Sequence, residues 1–337
     1  MTRATSLHLG DFTSSVSVYG NQAVPKYYGD ALVQVAREIP EVMCLGCDLS
    51  ASTETDVFRD AIPERFVMIG MQEANAIGVA SGMARMGDIP FVHSFGVFMT
   101  RRAFDQVAMQ VAYPKNNVKI VGFLPGLTTL LGVSHQAIED ISLMRSLPGM
   151  TVIEPAGAAQ ALAAVRAVAG YNGPVYLRME RASESLADDQ PLMELEIGKA
   201  QTLCEGEDLA IFACGLMVGH ALKAADILTD RFGIACSVIN MHTIKPLDKQ
   251  AVLQQAVQGK GIITAENHSV IGGLGSAVAE VLAEAGKENT FLRVGIQDTF
   301  AQGGSLSYLQ EKYGLSVAHL VRVSADLLNK TLKEQDQ

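Results

Sequence analysis

Glu73 is an acidic residue with few polar neighbours in the sequence, and its position suggests a role in acid–base chemistry. It lies in the segment GMQEAN at residues 70–75, after the apolar run 65–69 and before a run of mostly small and apolar residues at 76–86. This order places Glu73 at a strand-to-helix junction. An acid there either starts the helix, where the helix macrodipole favours it by about 0.3–1 kcal/mol, or is buried to share a proton with a bound group.

Two other motifs are weaker signals. Cys44 and Cys47 form a lone CxxC in a strand-like run without a second cysteine pair, so neither metal binding nor redox chemistry is expected there. The run Gly-Gly-Leu-Gly at 272–275 lacks both the GxGxxG spacing and the Lys-Ser/Thr of a P-loop. A helix start can bind an anion, but the glycines favour tight packing of a strand against a helix.

Alternating elements must position these residues. Strand-like runs alternate with helix-like runs; the strands fall at 42–46, 66–69, 91–93, 118–123, 151–153 and 175–177, and the helices at 28–38, 76–86, 101–111, 136–145 and 158–169. Strands joined by helices of this length predict a parallel sheet covered on both faces. The polar stretch 184–196 interrupts the alternation, which resumes with strands at 209–213, 237–239 and 261–265 and a helix at 274–285.

The predicted fold is therefore α/β with two domains, each a mostly parallel sheet flanked by helices. We expect an N-terminal arm at 1–25, a first domain at 26–190 and a second domain at 191–337. The length of 337 residues is sufficient for two separate cores.

Composition excludes several classes of function. The net charge of -10 provides no basic excess for binding nucleic acid. No apolar run approaches the ~20 residues of a membrane helix, and the Ser/Thr-rich N-terminus lacks the apolar centre of a secretory signal. Five cysteines, an odd number, suit a reducing compartment better than a disulfide framework. We expect a cytoplasmic protein that contacts neither membrane nor nucleic acid.

Several motifs in order resemble those of a known family. Residues 70–82, 91–106, the SHQAIED segment at 134–140 and the run at 148–152 resemble the pyrimidine-binding domain of transketolases. Residues 244–248 and the Glu-Asn-His triplet at 266–268 resemble the transketolase C-terminal domain. The resemblance covers about residues 26–328. It is greatest to the C-terminal subunit of split transketolases, with 1-deoxyxylulose-5-phosphate synthase as a close relative.

The resemblance implies dependence on thiamine diphosphate. Glu73 matches the family's glutamate, which bonds to N1′ of the aminopyrimidine and so activates the cofactor. Burial favours the neutral form of a carboxyl group, as this proton sharing requires. Phe95, Phe98 and Arg101 match the positions that pack on the ring, and Asp48 matches an acid near the thiazolium. Ordinary core packing remains the alternative for the two phenylalanines, and a turn or helix cap for Asp48.

The resemblance also implies a set of residues that face the substrate. His135 matches the histidine of the family's Thr/Ser-His-Gln motif, where an imidazole transfers protons to the substrate carbonyl and hydroxyls. Arg181 and Ser52 match positions that hold a sugar phosphate. Each residue also has a structural alternative. His135 could be a helix-start histidine bonded to a loop, Arg181 could form a surface salt bridge, and Ser52 could cap a helix.

The sequence departs from the family at this pocket. The apolar stretch 130–133 replaces the family's Gly-Glu-Asp-Gly, Leu124 replaces a sugar-binding histidine, and Pro25, next to Lys26, replaces a phosphate-binding arginine. Unpaired buried hydroxyls cost about 1–3 kcal/mol each. We therefore expect a donor or acceptor that is less hydroxylated than xylulose 5-phosphate, with Leu124 contacting it.

The other half of the cofactor site is missing from the sequence. The superfamily binds the diphosphate and a divalent metal through Gly-Asp-Gly, and this sequence contains no such motif. We therefore expect no metal ligands on this chain. A separate N-terminal-type subunit is expected to hold the diphosphate and Mg²⁺ or Ca²⁺. The predicted assembly is an α2β2 tetramer in which this chain also forms homodimers through both domains.

The leading prediction is one subunit of a transketolase-like enzyme. It would transfer a two-carbon ketol unit, or a related acyl unit, between a ketose or keto substrate and an aldehyde. Two alternatives stay open. One is the β subunit of a 2-oxo acid or acetoin dehydrogenase, which also uses a glutamate and has an apolar pocket. The other is a non-catalytic assembly subunit that kept the fold.

Overall fold

The structure, a computed structural model, describes residues 16–19, 22–157, 160–181 and 194–329, with side chains from residue 25 onward. Most of the predicted N-terminal arm lies outside the described residues, and so does most of the polar stretch that predicts the domain boundary. The described backbone of the arm consists of two strands that pair antiparallel, β1 (Val16–Tyr19) and β2 (Gln22–Pro25).

The first domain is built on a sheet of seven strands. These are β3 (Val42–Gly46), β4 (Phe66–Met68), β5 (Ile89–Phe95), β6 (Lys119–Phe123), β7 (Thr151–Ile153), β8 (Val175–Met179) and β12 (Thr243–Lys245). Their spatial order is β12-β7-β8-β6-β5-β3-β4, and only β12 runs antiparallel to its neighbour. Every residue of β6 and β8 is buried, because helices cover both faces of the sheet.

Helices follow most of these strands, as the alternation predicts. They are α1 (Tyr27–Glu38), α2 (Thr55–Ala61), α3 (Glu73–Met86), α4 (Phe104–Gln106), α5 (Asp140–Ser146) and α6 (Ala161–Gly170), with a 3₁₀ turn at Pro63–Arg65. The helix predicted at 101–111 has a different form. Two π-helical stretches, Phe98–Arg102 and Val107–Ala112, flank the short α4.

The second domain has a five-stranded sheet with the order β14-β13-β10-β11-β9. Its strands are β9 (Gln201–Cys204), β10 (Leu209–Ala213), β11 (Cys236–Asn240), β13 (Gly261–Ser269) and β14 (Phe291–Ile296). Its helices are α7 (Met217–Phe232), α8 (Lys249–Gln255), α9 (Leu274–Glu284), α10 (Leu306–Lys312) and α11 (Val317–Leu327). Only β9, at one edge, is antiparallel, so the prediction of two α/β domains with mostly parallel sheets is confirmed. None of the helices in the described part of the chain has the length and apolar character needed to cross a membrane.

One strand from the second half of the sequence belongs to the sheet of the first domain. Strand β12 comes after the second domain has begun, yet it pairs with β7 of the first sheet, Thr243 opposite Ile153 and Lys245 opposite Val152. The ammonium group of Lys245 donates to the carbonyls of Arg145 and Leu147 at 2.8 and 2.6 Å, where α5 ends. A cation at a helix C-terminus is favourable. Because Lys245 lies on β12, the same residue links the pairing of β12 with β7 to the end of α5.

A buried ion network lies between the sheets. The guanidinium of Arg178, on β8, is fully buried and donates to Asp140 at 2.8 and 3.2 Å and to Glu154. It also donates to the backbone carbonyl of Asn267 on β13, at 2.9 Å. Burial alone would raise the pKa of Asp140, but Arg178 and the hydroxyl of Tyr176 hold it below its usual value. The network therefore joins β8, α5 and the second sheet through one cation.

Replacing Arg178 by Met should destabilise the protein strongly. The substitution keeps most of the side-chain volume but leaves Asp140 and Glu154 buried without their cation, a loss that typically costs about 3–5 kcal/mol. Urea unfolding measures the change. The matched control is Arg166→Met, whose pair with Glu38 at 2.8 Å is about half exposed and should contribute no more than about 1 kcal/mol. Equal stability of the two variants would contradict this role of the network.

Candidate functional site

Glu73 is the first residue of α3 and is buried, with 1% of its surface exposed. The carboxyl ends of the parallel strands β3, β4 and β5 meet at the same edge of the sheet, and α3 begins there. The hydroxyl of Ser94, on β5, donates to one carboxylate oxygen of Glu73 at 3.0 Å. Arg102 donates to the other oxygen at 2.8 Å. The helix start that sequence reasoning considered is thus also a buried acid.

Arg102 is a residue of this site that sequence reasoning missed. Its side chain is 53% exposed, and its guanidinium carbon lies 4.7 Å from the centre of the Phe98 ring. A guanidinium can stack on an aromatic face while it donates hydrogen bonds. Arg102 therefore contacts both the acid and the aromatic side chain that sequence reasoning had placed in the site.

Arg101 lies next to it and points elsewhere. Its guanidinium pairs with Glu139 at 2.9 Å and donates to the carbonyls of Val133 and Gln136 at 3.1 and 3.3 Å. It lines a cleft of about 680 Å³ that residues of both domains enclose. The turn from Phe98 to Arg102 is π-helical, with a wider repeat than an α-helix. The resemblance assigns Arg101 to the ring, and in this π-helical turn it is the guanidinium of Arg102 that lies over Phe98.

An aromatic cluster lies beside Glu73. The rings of Phe95 and Phe98 are stacked, with centres 5.9 Å apart and planes 26° apart. The imidazole of His135 lies 6.1 Å from the Phe95 ring and meets Phe98 edge-on at 5.3 Å. Its Nδ1 is 2.9 Å from the hydroxyl of Ser134. The structure thus brings the imidazole against two rings that lie about 40 positions away in the sequence.

Asp48 and Ser52 follow β3, at the same edge of the sheet. Asp48 is exposed and has a left-handed backbone, with φ of 57°, and its amide donates to the Met68 sulfur at 3.3 Å. Ser52 is half-buried, and its amide donates to the carbonyl of Leu49 at 2.9 Å. Among the described residues neither side chain caps α2, because the residue before that helix is Glu54 and it makes no capping bond.

Arg181 follows β8, again at the carboxyl end, and is buried. The pKa of the nearby Glu54 carboxyl is raised to about 7 because the group is buried, and the charge of Arg181 offsets only part of that rise. Glu54 accepts hydrogen bonds from the amides of Tyr28 and Gly29 at 3.0 and 3.1 Å, at the start of α1. Sequence reasoning missed Glu54, since an acid in a polar loop carries no signal of burial.

The apolar residues that depart from the family motifs lie on one segment. Leu124 is buried with a left-handed backbone, φ 52°. Leu130, Leu131 and Val133 are exposed by 52%, 61% and 44%. They share their loop with His135, so the apolar side chains and the imidazole belong to one segment. At the start of the first domain, Lys26 is buried and pairs with Asp56.

Two other polar groups are structural. His93 is buried on β5, bonded to the Tyr28 hydroxyl at 2.7 Å and the Leu45 carbonyl at 3.0 Å, and burial lowers its pKa to about 4. The glycine-rich loop before α9 binds a carboxyl group of the protein itself, that of Glu266. Glu266 accepts from the amides of Leu274 and Gly275 at 2.7 and 2.8 Å. A Cβ at Gly273 would lie 2.0 Å from that carboxylate, so the glycine is required for packing.

No set of three or more His, Cys, Asp or Glu side chains in the described part of the chain is arranged to hold a metal ion. What the site offers is a buried carboxylate beside a stacked aromatic pair and an imidazole. A flat, weakly basic heterocycle fits this arrangement, since it could stack on the rings and share a proton with Glu73.

Comparisons with known proteins agree with this chemistry. Residues 21–184 match the family model described as the pyrimidine-binding domain of transketolase, and residues 198–320 match the transketolase C-terminal domain. The chain is 44% identical over 304 residues to a 6-deoxy-6-sulfo-D-fructose transketolase subunit of a Clostridium species, covering 90% of this chain and 94% of that one. It is 33% identical to one subunit of the apulose-4-phosphate transketolase of Phocaeicola vulgatus, covering 91% and 98%.

A solved structure is similar throughout. It is described as a split-gene transketolase in an inactive β4 tetramer, and the match has a TM-score of 0.82 at 42% identity. The match covers 91% of this chain and 98% of that one.

Proposed function

Since this chain belongs to the transketolase family, in the group whose enzyme is divided between two polypeptides, we propose that Glu73 activates thiamine diphosphate for ketol transfer within a complex of two kinds of subunit. The observation that carries the proposal is that Arg102 joins the buried Glu73 carboxylate to the ring of Phe98, which stacks on Phe95. Family membership implies dependence on thiamine diphosphate. When bound, that cofactor supplies the nucleophile that accepts a two-carbon unit from a ketose.

The residues of this chain would take three roles. Glu73 holds a proton at the aminopyrimidine nitrogen, and Phe95 and Phe98 fix the plane of the ring. His135 contacts the edge of Phe98 and can exchange protons with the carbonyl oxygen and hydroxyls of the substrate. Arg181 and Ser52 remain candidates for binding a phosphate or another anionic group, and Asp48 for a place near the thiazolium.

The second subunit would complete the site. We propose that it carries the Gly-Asp-Gly motif, and with it the diphosphate and a divalent cation such as Mg²⁺ or Ca²⁺. The described inactivity of the related β4 tetramer supports the need for such a partner. An α2β2 assembly would join two copies of this chain through both domains. Several large apolar side chains near α3 are exposed, which suits that contact; they are Met71 (69%), Met86 (85%) and Tyr113 (80%).

We also propose that the substrate differs from xylulose 5-phosphate. The wall beside His135 presents Leu130, Leu131 and Val133, which cannot pair with the hydroxyls of a sugar. Two relatives are named for ketoses other than xylulose 5-phosphate, namely 6-deoxy-6-sulfo-D-fructose and apulose 4-phosphate, which is compatible with a different substrate here. A donor or acceptor with fewer hydroxyls at this wall would suit the apolar segment.

Replacing Glu73 by Ala tests the catalytic role. Turnover by the complex reconstituted with a Gly-Asp-Gly subunit should fall by about 10²–10⁴-fold, as loss of a proton-transferring group does. Association with the partner, followed by gel filtration, should persist. Glu64→Ala, at an exposed turn, is the matched control. Unchanged turnover in Glu73→Ala would favour a non-catalytic assembly subunit.

Arg102 yields a prediction for cofactor affinity. Its guanidinium holds the two contacts, to Glu73 and to the face of Phe98, that the aminopyrimidine ring also needs, so it must move aside when the ring binds. Arg102→Met should therefore bind thiamine diphosphate several-fold more tightly in titration calorimetry of the complex. Arg59→Met, whose guanidinium pairs with Asp60 on the surface, is the control and should leave the affinity unchanged. Arg101 matches a family position that packs on the ring and remains a candidate for cofactor binding, a role that weaker binding in Arg101→Met would support.

A substrate panel tests the apolar wall. The panel should contain xylulose 5-phosphate, apulose 4-phosphate, 6-deoxy-6-sulfofructose, pyruvate and acetoin, each with aldehyde acceptors. We expect kcat/KM for xylulose 5-phosphate to be at least about tenfold below that of the best substrate, because each unpaired hydroxyl costs about 1–3 kcal/mol. Full transketolase rates with xylulose 5-phosphate would contradict the proposal. A preference for pyruvate or acetoin would favour the dehydrogenase alternative.

A further inference from the structure

The segment from Leu124 to Gln136 forms the proposed substrate wall, and it has little regular structure of its own. Within the first domain its start is held by a bridge between Pro125 and Ala137, in which the Gly126 amide donates to the Ala137 carbonyl at 2.8 Å. Two residues at this start, Leu124 and Gly126, have left-handed backbones, with φ of 52° and 58°. Such a conformation persists where surrounding contacts determine it.

Those contacts come from the second domain. The side chain of Asn267, on β13, is fully buried. Its carbonyl oxygen accepts a hydrogen bond from the Leu127 amide at 3.0 Å, and its amide group donates to the Pro125 carbonyl at 3.5 Å. The backbone carbonyl of Asn267 accepts from Arg178 at 2.9 Å. One asparagine therefore satisfies backbone groups on both sides of Gly126.

The fit around Gly126 is close. A Cβ at this glycine would lie 2.2 Å from the backbone oxygen of Asn267 and 2.4 Å from its side-chain carbon. Leu127, the next residue, is buried in the core of the second domain together with Ile138. The loop therefore begins at the first sheet, packs Leu127 into the core of the second domain, and ends at Ala137, which bridges to Pro125.

A second contact lies at the far end of the loop. The side-chain amide of Gln136 donates to the carbonyl of Gln302 at 3.1 Å. A Cβ at Gly132 would lie 3.2 Å from the amide nitrogen of Gly303. Both ends of the loop that carries Leu130, Leu131 and His135 are therefore fixed by residues of the second domain.

We propose that Asn267 is a positioning residue for the substrate pocket, and that the second domain thereby sets the placement of His135 and the leucine wall. Asn267 acts through the loop and does not touch the substrate. The cofactor-ring contacts lie on elements of the first domain alone, α3, β5 and the π-helical turn. We call the hydrogen bonds of the Asn267 side chain to Leu127 and Pro125 the clamp. Loss of the clamp should impair substrate binding and turnover and leave the affinity for the cofactor unchanged.

Asn267→Ala tests the proposal in the reconstituted complex. The kcat/KM for the best ketose should fall by about 10- to 100-fold, since displacements of about 1 Å at a reacting group have such effects. The dissociation constant of thiamine diphosphate should stay within about twofold, and KM should change more than the cofactor affinity. Asn289→Ala is the matched control, because that amide also bridges two carbonyls of the second domain, at 2.7 and 2.9 Å, away from the loop.

Two further variants keep the test decisive if Asn267→Ala folds poorly. Asn267→Asp retains the acceptor for the Leu127 amide but turns a buried carboxylate oxygen toward the Pro125 carbonyl, so its kinetic defect should be at least as large as that of Asn267→Ala. Gly126→Ala crowds the same contact from the loop side and should reproduce the rise in KM. A variant of Asn267 that folds and keeps kcat/KM within about twofold of the wild type would overturn the proposal, as would an equal loss of cofactor affinity.

The kinetic measurements rest on the proposed ketol transfer, but the clamp has a readout that does not. Amide hydrogen exchange at Gly126 and Leu127 should accelerate about tenfold or more in Asn267→Ala and stay unchanged in Asn289→Ala. Unchanged exchange would overturn the clamp whatever the activity. Faster exchange in a complex without ketol transfer would uphold the clamp and refute the proposed function.

Discussion

The buried guanidinium of Arg178 is the interaction on which the rest of the structure depends. It is fully enclosed, and it binds a carboxylate at the start of α5, a second after β7 and a carbonyl of β13. Taking these charges out of water is costly, and only their mutual pairing compensates. Because the carbonyls of Ala137 and Asn267 both accept hydrogen bonds from this cation, the packing of the two sheets and the path of the pocket loop are settled together.

The site itself depends on an opposite arrangement, in which a buried acid has a cation that can move away. Glu73 is covered, whereas Arg102 above it is about half exposed. Water can replace the hydrogen bonds that the arginine gives up, but Glu73 then needs another partner, because its carboxylate is buried. The ion pair between Glu73 and Arg102 therefore has one solvent-exposed member, in contrast to the fully buried network around Arg178.

The sequence was sufficient to predict the central strands of both sheets, because parallel strands buried on both faces appear as continuous apolar runs. The edge strands β9, β12 and β14 were not predicted. Short antiparallel edges such as β9 and β12 carry weak patterns, and the first half of β14 is not buried, so it lacks a continuous apolar run. Glu73, Phe95, Phe98 and His135 were found through motif order, and the structure brings the aromatic residues together. The contacts of Arg102, Glu54 and Asn267 were not predicted, although Asn267 belongs to the Glu-Asn-His triplet that resembles the transketolase C-terminal domain. The first depends on a π-helical turn, and the other two act through contacts across long sequence separations, which no local pattern records.

Strand β12 has a consequence for how such proteins diverge. The strand belongs to the first sheet in space and to the second domain in sequence. A recombination event at the apparent boundary between the domains would therefore transplant an edge strand of the first sheet along with the second domain. It would also exchange Lys245, which binds the end of α5. Pairings such as Ile153 with Thr243 must then be re-established in the hybrid, or the exposed strand edge invites aggregation. We expect the two domains to be inherited together, and compensating substitutions to accumulate where β12 pairs with β7.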